Sequence, residues 1–156
     1  MPIYSKRNTW GGNEISLELF IYLKDFLPSG KTILELGSGW GTSQLIRYWN
    51  VWSIESNPEW HAKFNKNQSV LVPIKDTWYD PEILKKFLSG LTYDLLLVDG
   101  PYDNREGLIT HFDLFNPQIP IVFDDVARDE GKAIAEAIAN KTGRPFKNHL
   151  DKFGVV

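Results

Sequence analysis

The chain has 156 residues, of which 42% are hydrophobic and 24% are charged. These values are typical of one ordinary globular domain and exclude a disordered chain. The absence of cysteine excludes disulfides, thiolate metal sites and a cysteine nucleophile. The formal net charge of −3 lacks the basic excess of nucleic-acid-binding proteins. We therefore expect a minimal single domain over residues 1–156 and no nucleic-acid partner.

The first residues, MPIYSKRNTWGG, contain two cations with no apolar run behind them. This pattern predicts neither a secretory signal nor a membrane span, and it makes the cytoplasm the expected location. Trp10 precedes Gly11 and Gly12, so a flexible lid over a ligand is one interpretation of this segment.

Helical and strand patterns then alternate along the chain. Apolar residues recur at helical spacing from Glu14 to Leu27, which predicts an amphipathic helix ended by a Pro-Ser-Gly sequence. The apolar run Thr32–Leu36 predicts a strand that enters a glycine-rich turn, and a second helix follows through Leu45 and Ile46. The run Val51–Ile54 predicts the next strand.

The same alternation continues to the end of the chain. Pro58 stands where the first position of a helix tolerates proline. The later elements are expected as strand Val70–Ile74, helix Pro81–Leu88, strand Tyr93–Val98, strand Ile119–Phe123, helix Lys132–Ala139, and a hairpin that pairs Phe146–Leu150 with Phe153–Val156.

Strands that are apolar on both faces and alternate with helices are typical of a parallel sheet between helical layers. The predicted class is therefore α/β, a doubly wound, mostly parallel sheet flanked by helices. Ligands of such sheets bind outside the carboxyl ends of the strands, at the point where the strand order reverses. The residues that follow the predicted strands are consequently the first candidates for a functional site.

Three glycines follow the first strand at alternate positions, Gly37, Gly39 and Gly41. They allow the main chain to turn tightly and to approach a ligand closely. Glu55 follows Gly37 by 18 residues, at the tip of the second strand, where an acid can accept both hydroxyls of a ribose. The combination indicates a nucleoside cofactor. NAD is disfavoured, because Thr42 stands where the third glycine of GxGxxG is expected.

The stretch ELGSGWG, Glu35–Gly41, resembles the first motif of class I S-adenosylmethionine-dependent methyltransferases. The resemblance covers most of the chain and implies a Rossmann-like methyltransferase fold with S-adenosylmethionine as the cofactor. It implies that Glu35 and the loop around Ser38 serve the methionine end and that Glu55 holds the ribose. Asp76 would contact the adenine amino group, although an acid in a turn is an equally good interpretation of this residue.

Three further acids follow the fourth and fifth predicted strands. Asp99 ends the fourth strand, and Asp124 and Asp125 end the fifth. Carboxylates this close raise one another's pKa unless a cation or a proton lies between them. Mg²⁺ bound by all three is one interpretation, because oxygen ligands suit it. Salt bridges to Arg105 or Arg128 are the alternative.

These acids are similar to the metal site of catechol-type O-methyltransferases, with an Asp-Asp pair in place of Asp-Asn and Tyr102 in place of a lysine. A closer resemblance is to bacterial methyltransferases that carry DGP and an arginine after strand four, and DD and an arginine after strand five. The matching positions are Asp99–Pro101 with Arg105, and Asp124–Asp125 with Arg128. Some members of this set act on sugar hydroxyls or carboxylated glycans, and the resemblance implies an acceptor of that kind.

The leading hypothesis is an O-methyltransferase in which Asp99, with Asp125, orients or deprotonates a small phenol or sugar hydroxyl. An N-methyltransferase for a protein or small amine is the runner-up, because DGPY at Asp99–Tyr102 is similar to the DPPY signature of amine methyltransferases. A third hypothesis is a nucleoside-binding module without catalysis. His111 is a weaker candidate for a base. A second copy of the chain is a candidate to complete the acceptor pocket.

Overall fold

A computed structural model of the protein describes residues 15–156, so the expectations for Trp10 and for a helix start at Glu14 lie outside the described residues. The helices are α1 (Leu17–Phe26), α2 (Trp40–Leu45), α3 (Pro81–Leu88), α4 (Gly107–Thr110) and α5 (Asp129–Thr142), with a 3-10 turn at Phe112–Leu114. The strands are β1 (Thr32–Leu36), β2 (Asn50–Glu55), β3 (Ser69–Leu71), β4 (Ile74–Lys75), β5 (Trp78–Tyr79), β6 (Leu95–Val98), β7 (Ile121–Asp124), β8 (Lys147–His149) and β9 (Phe153–Val155).

Seven strands form one sheet in the order β3-β2-β1-β6-β7-β9-β8. The first five of these strands are parallel to one another, and β9 is antiparallel to both β7 and β8. The sequence runs outward from β1 to β3 and then returns to β6, so the strand order reverses between β1 and β6. This topology confirms the predicted doubly wound, mostly parallel α/β class. It also places the ligand crevice at the ends of β1 and β6.

Both faces of the sheet are covered by apolar packing. Ile33 of β1 and Leu95 of β6 belong to a buried cluster that includes Leu19 of α1. Their chain neighbours Leu34 and Leu96 point the other way, into a cluster that includes residues of α3 and α5. Because adjacent strand residues alternate between the faces, the continuous apolar runs of β1 and β6 are what a covered sheet requires.

Several elements begin and end where the sequence predicts. The bounds of β1 and α3 agree with prediction, and β8 and β9 form the predicted C-terminal hairpin. Helix α1 begins at Leu17 because the Ser16 hydroxyl caps it and accepts a hydrogen bond from the Leu19 N–H at 3.2 Å. The periodicity of apolar residues predicts this helix, but it does not identify Ser16 as the residue that caps it.

The single strand predicted over Val70–Ile74 is wrong. β3 ends at Leu71, and the chain then forms the small antiparallel hairpin of β4 and β5. Pro73 has no N–H to continue the sheet ladder, and its carbonyl accepts a hydrogen bond from the Asp80 N–H at 2.8 Å.

The helix predicted to start at Pro58 is also absent: residues 57–64 form hydrogen-bonded turns. Ala62 has a φ of 59° in the left-handed region, which ends any helical run at this point. No helix within residues 15–156 has both the length and the apolar character that crossing a membrane requires.

Candidate functional site

A cavity of about 590 Å³ opens at the carboxyl ends of the central strands. It brings together six of the residues singled out from the sequence. These residues are Gly37, Ser38, Glu55, Asp99, Asp124 and Asp125. Glu35, Gly39, Gly41 and Asp76 are not among the residues that line it.

Glu55 ends β2 and presents a rigidly held carboxylate to the cavity. Its side chain is largely buried, one oxygen accepts a hydrogen bond from the Ser38 N–H at 3.0 Å, and the other accepts one from the Asn57 N–H at 2.7 Å. A carboxylate has about four acceptor positions. Within residues 15–156 two therefore remain, one on each oxygen, and these can accept a pair of neighbouring ligand hydroxyls.

Glu35 lies beneath the glycine turn rather than on the cavity wall. Its carboxyl group is buried and accepts hydrogen bonds from the Thr42 hydroxyl at 2.8 and 2.9 Å and from the Ser53 hydroxyl at 2.8 Å. Burial raises the pKa of Glu35 to about 8, although both hydroxyl donors act to lower it. Glu35 therefore stabilises the glycine turn through its hydrogen bonds with Thr42.

The hydrogen bonds of Glu35 extend in both directions. The Gly39 N–H donates to Thr42 Oγ1 at 3.0 Å, and Asn65 Nδ2 donates to Ser53 Oγ at 3.1 Å. A continuous polar network thus joins the start of α2 to the loop beyond β2. Gly39 caps α2 and Gly41 is buried within this helix, which explains why neither residue reaches the cavity.

Gly37 and Gly100 let two loops meet at the switch point. Gly37 has a φ of +93°, and a Cβ added to it would lie 2.7 Å from the Asp99 carbonyl oxygen. A Cβ on Gly100 would lie 2.9 Å from the Gly37 Cα. Part of the glycine pattern is therefore explained by main-chain contact between the β1 turn and the loop after β6.

Asp99 and Asp124 form a carboxyl pair with a hydrogen bond between their side chains. Burial, and then the charge of Asp124, raises the pKa of Asp99 well above its usual range. Burial raises the pKa of Asp124 to about 6, and the hydrogen bond from Asp99 opposes this rise. The pair therefore holds one proton over a pH range in which two separate aspartates would both be ionised.

Arg105 fixes the loop that follows β6. Its Nε donates to the Pro101 carbonyl at 2.8 Å, and a terminal nitrogen donates to the Asp99 carbonyl at 3.1 Å. The same nitrogen lies 3.7 Å from Asp99 Oδ1, and the guanidinium charge lowers the pKa of both Asp99 and Asp124. Arg105 thus acts on the acid pair while it holds the loop in place.

Asp125 has a different partner from Asp124. Its Oδ2 lies 3.2 Å from Nε of the exposed Arg128, and its φ of 62° is left-handed. Among the residues that the structure describes, no group of three or more acid or histidine side chains could hold a metal ion. Asp99 pairs with Asp124 and Asp125 faces an arginine, and the binding of Mg²⁺ by these three carboxylates stays a prediction.

Two of the remaining predicted residues, Asp76 and His111, lie outside the cavity wall. Asp76 is exposed in the turn between β4 and β5, with a φ of 63°, because β3 ends before it. His111 stacks on Trp78 with ring centroids 5.2 Å apart and does not line the cavity. Tyr102 lies at the cavity rim, 87% exposed.

Sequence reasoning missed eight residues of the cavity wall, among them Asn57, Trp60 and Tyr79. The ring of Phe64 packs on Trp60, with centroids 5.6 Å apart. Asn57 and Trp60 lie in the turn region that was predicted as a helix, and Tyr79 lies on a strand of two residues. Neither segment has a periodicity of apolar residues that would predict its structure or a site.

Comparison with known proteins finds similar structures but no similar sequence. No protein-family model matches the chain, and no curated protein matches its sequence. A precorrin-8W decarboxylase from Methanobacterium thermoautotrophicum has a similar structure, with a TM-score of 0.60 and 16% identity over 85% of this chain and 74% of that one.

Two methyltransferases have the same fold. The MycE methyltransferase of mycinamycin biosynthesis has a TM-score of 0.59 and 12% identity over 89% of this chain, which spans only 48% of the MycE chain. A methyltransferase from Pyrococcus furiosus has a TM-score of 0.53 and 18% identity over 89% of this chain and 79% of that chain. The protein therefore has the Rossmann-like fold of class I methyltransferases.

Proposed function

We propose that the protein is an S-adenosylmethionine-dependent methyltransferase that acts on a small hydroxyl acceptor. The observation that carries the proposal is Glu55, a buried carboxylate with two free acceptor positions at the switch-point cavity. The fold agrees with this proposal, since the MycE structure is a complex with Mg and S-adenosylhomocysteine.

The cavity wall fits the cofactor's nucleoside. The two free acceptor positions of Glu55 suit the two hydroxyls of a ribose. Main-chain atoms at Gly37 and Ser38 leave room for close approach, and Trp60 offers a flat apolar surface. When bound, S-adenosylmethionine supplies a methyl group on a sulfonium sulfur, and the protein has to align the acceptor and exclude water.

Asp124 is the residue we assign to the acceptor, with Asp99 as its partner. The ionised Asp124 can accept the acceptor's hydroxyl proton, and Asp99 holds Asp124 through their shared hydrogen bond. Asp125 is engaged by Arg128, so we place it outside this step. Among residues 15–156 no group of three or more acid or histidine side chains could hold a metal ion, so we assign no part of this step to one.

Calorimetric titration with S-adenosylhomocysteine tests the proposed cofactor. We expect Glu55→Ala to weaken binding about tenfold to a hundredfold, because hydrogen bonds to a charged acceptor contribute about 1.5–3 kcal/mol. Glu59→Ala is the matched control, since Glu59 is exposed and does not line the cavity, and it should bind as the wild type does. A wild-type protein without affinity for this product contradicts the proposal.

Incubation with methyl-labelled cofactor and a panel of phenols, sugars and amines tests the acceptor class. Label on hydroxyl acceptors supports the proposal. Label on amines alone would make the protein an N-methyltransferase. Binding of the cofactor without transfer to any member of the panel would favour a module without catalysis.

A further inference from the structure

Tyr79 carries a buried hydroxyl that has no hydrogen-bond partner among residues 15–156. The side chain is 1% exposed and packs edge-on against Trp78, yet no atom of the described residues hydrogen-bonds Tyr79 Oη. Buried polar groups in proteins are satisfied in the large majority of cases. The few that are not call for an explanation, and Tyr79 also lines the switch-point cavity.

The hydroxyl lies where the two ligand-facing loops meet. A Cβ on Gly100 would lie 2.8 Å from Tyr79 Oη and 2.9 Å from the Gly37 Cα, so all three groups share one small region. Glu55 and Asp99 act on the hydroxyl from nearby and, after burial itself, raise the pKa of Tyr79 well above its usual range. The group therefore stays protonated at neutral pH and can donate a hydrogen bond.

Neither acid near Tyr79 hydrogen-bonds its hydroxyl in the structure, although Glu55 keeps two acceptor positions free within residues 15–156. Each oxygen of Glu55 accepts a main-chain N–H, and Asp99 is hydrogen-bonded to Asp124. Neither glycine of the junction has a side chain that could reach the hydroxyl. A molecule bound in the cavity is then a candidate source of the missing partner, because Tyr79 is among the residues that line the cavity.

We infer that the Tyr79 hydroxyl hydrogen-bonds the bound S-adenosylmethionine, which makes Tyr79 a further cofactor-binding residue. This inference rests on the proposed function. The competing explanation is that Tyr79 serves only as an apolar ring in the core and that its hydroxyl has no role.

The experiment compares Tyr79→Phe with the wild type in two measurements, calorimetric titration with S-adenosylhomocysteine and thermal unfolding without ligand. We expect affinity to fall about three- to tenfold, as for the loss of one hydrogen bond. The unfolding midpoint should be unchanged or higher, because the substitution removes a buried hydroxyl that has no partner among residues 15–156 of the unliganded protein.

Tyr93→Phe is the matched control. The Tyr93 hydroxyl accepts a hydrogen bond from the Asn116 N–H at 2.9 Å, and Tyr93 does not line the cavity. This variant should show the opposite pattern, a lower unfolding midpoint with unchanged affinity.

Unchanged affinity in Tyr79→Phe would overturn the inference and leave the proposed function intact. A Tyr79→Phe protein that loses stability as well as affinity would assign the hydroxyl to the fold. Absence of binding by the wild type would overturn the proposed function together with the inference.

Discussion

Asp99 and Asp124 show how two acids at neighbouring strand ends acquire different properties. Both are buried, but Asp99 has the higher pKa because the charge of Asp124 adds to its burial. Asp124 instead accepts the hydrogen bond from Asp99 and a main-chain hydrogen bond from Ser16, and both lower its pKa. The residue that ionises first is therefore the one that can serve as a base near neutral pH.

Methyl transfer should depend on the ionised form of Asp124. We expect kcat/KM to fall as the pH drops through about 6, because protonated Asp124 cannot accept the acceptor's proton. Asp124→Asn should lower kcat about a hundredfold or more and remove this transition from the pH profile. Asp113→Asn, at an exposed acid outside the cavity, is the control. A transition near pH 6 that persists in Asp124→Asn would exclude this role.

At the scale of elements, the function depends on how closely the turn after β1 packs against the loop after β6. Gly37 lies at that junction with a positive φ, and Gly30 has a similar φ of +84° in a turn where no atom would touch an added Cβ. An alanine at Gly30 would therefore cost only the free energy of a left-handed backbone conformation. An alanine at Gly37 would add the cost of a steric contact with the Asp99 carbonyl.

Urea denaturation of two alanine variants measures this difference. Gly30→Ala should lower the free energy of unfolding by about 1 kcal/mol, the cost of a left-handed non-glycine residue. Gly37→Ala should lower it by about 2–4 kcal/mol, because its Cβ would also meet the Asp99 carbonyl. Equal losses would show that the two loops do not constrain each other.

Sequence reasoning predicted those elements that carry a long or continuous pattern. The apolar run of β1 and the proline-initiated α3 are bounded as predicted. The hairpin of β4 and β5 was missed because strands of two residues have no periodicity, and the positive φ of Ala62 has no residue signal.

The candidate site divides in the same way. The spacing of Gly37 and Glu55 places both residues at strand ends that meet, so their convergence could be predicted. The choice between Asp124 and Asp125 could not, because it depends on which way each side chain points at the end of β7 and on the reach of Arg128. Tyr79 gave no signal, since an unpartnered hydroxyl is visible only in three dimensions.

At the scale of the whole molecule, buried acids make folding stability depend on pH. Glu35, Asp99 and Asp124 all have raised pKa values, so the folded chain binds more protons than the unfolded chain. The free energy of unfolding must then decrease as the pH rises. For Glu35 this decrease begins near the unfolded pKa of 4.5 and ends near its folded pKa of about 8.

Glu35→Gln should flatten this dependence. In the wild type we expect the free energy of unfolding to fall between pH 5 and pH 8, by up to about 1.4 kcal/mol per pH unit for each such group. The variant should lose the part due to Glu35 and keep the part due to the Asp pair. Urea denaturation across this pH range measures both, with the exposed Glu136→Gln as the control. A variant with the wild-type slope would refute the raised pKa of Glu35.

The fluorescence of Trp60 should report on the binding of a ligand in the cavity. Among the tryptophans of residues 15–156, it is the one that lines the cavity, while the others lie in the core or on other surfaces. Indole fluorescence responds to the polarity of its surroundings, and a ligand in the cavity would displace water from this ring. Titrations can therefore be followed by intrinsic emission without a label, and the response should disappear in Trp60→Phe.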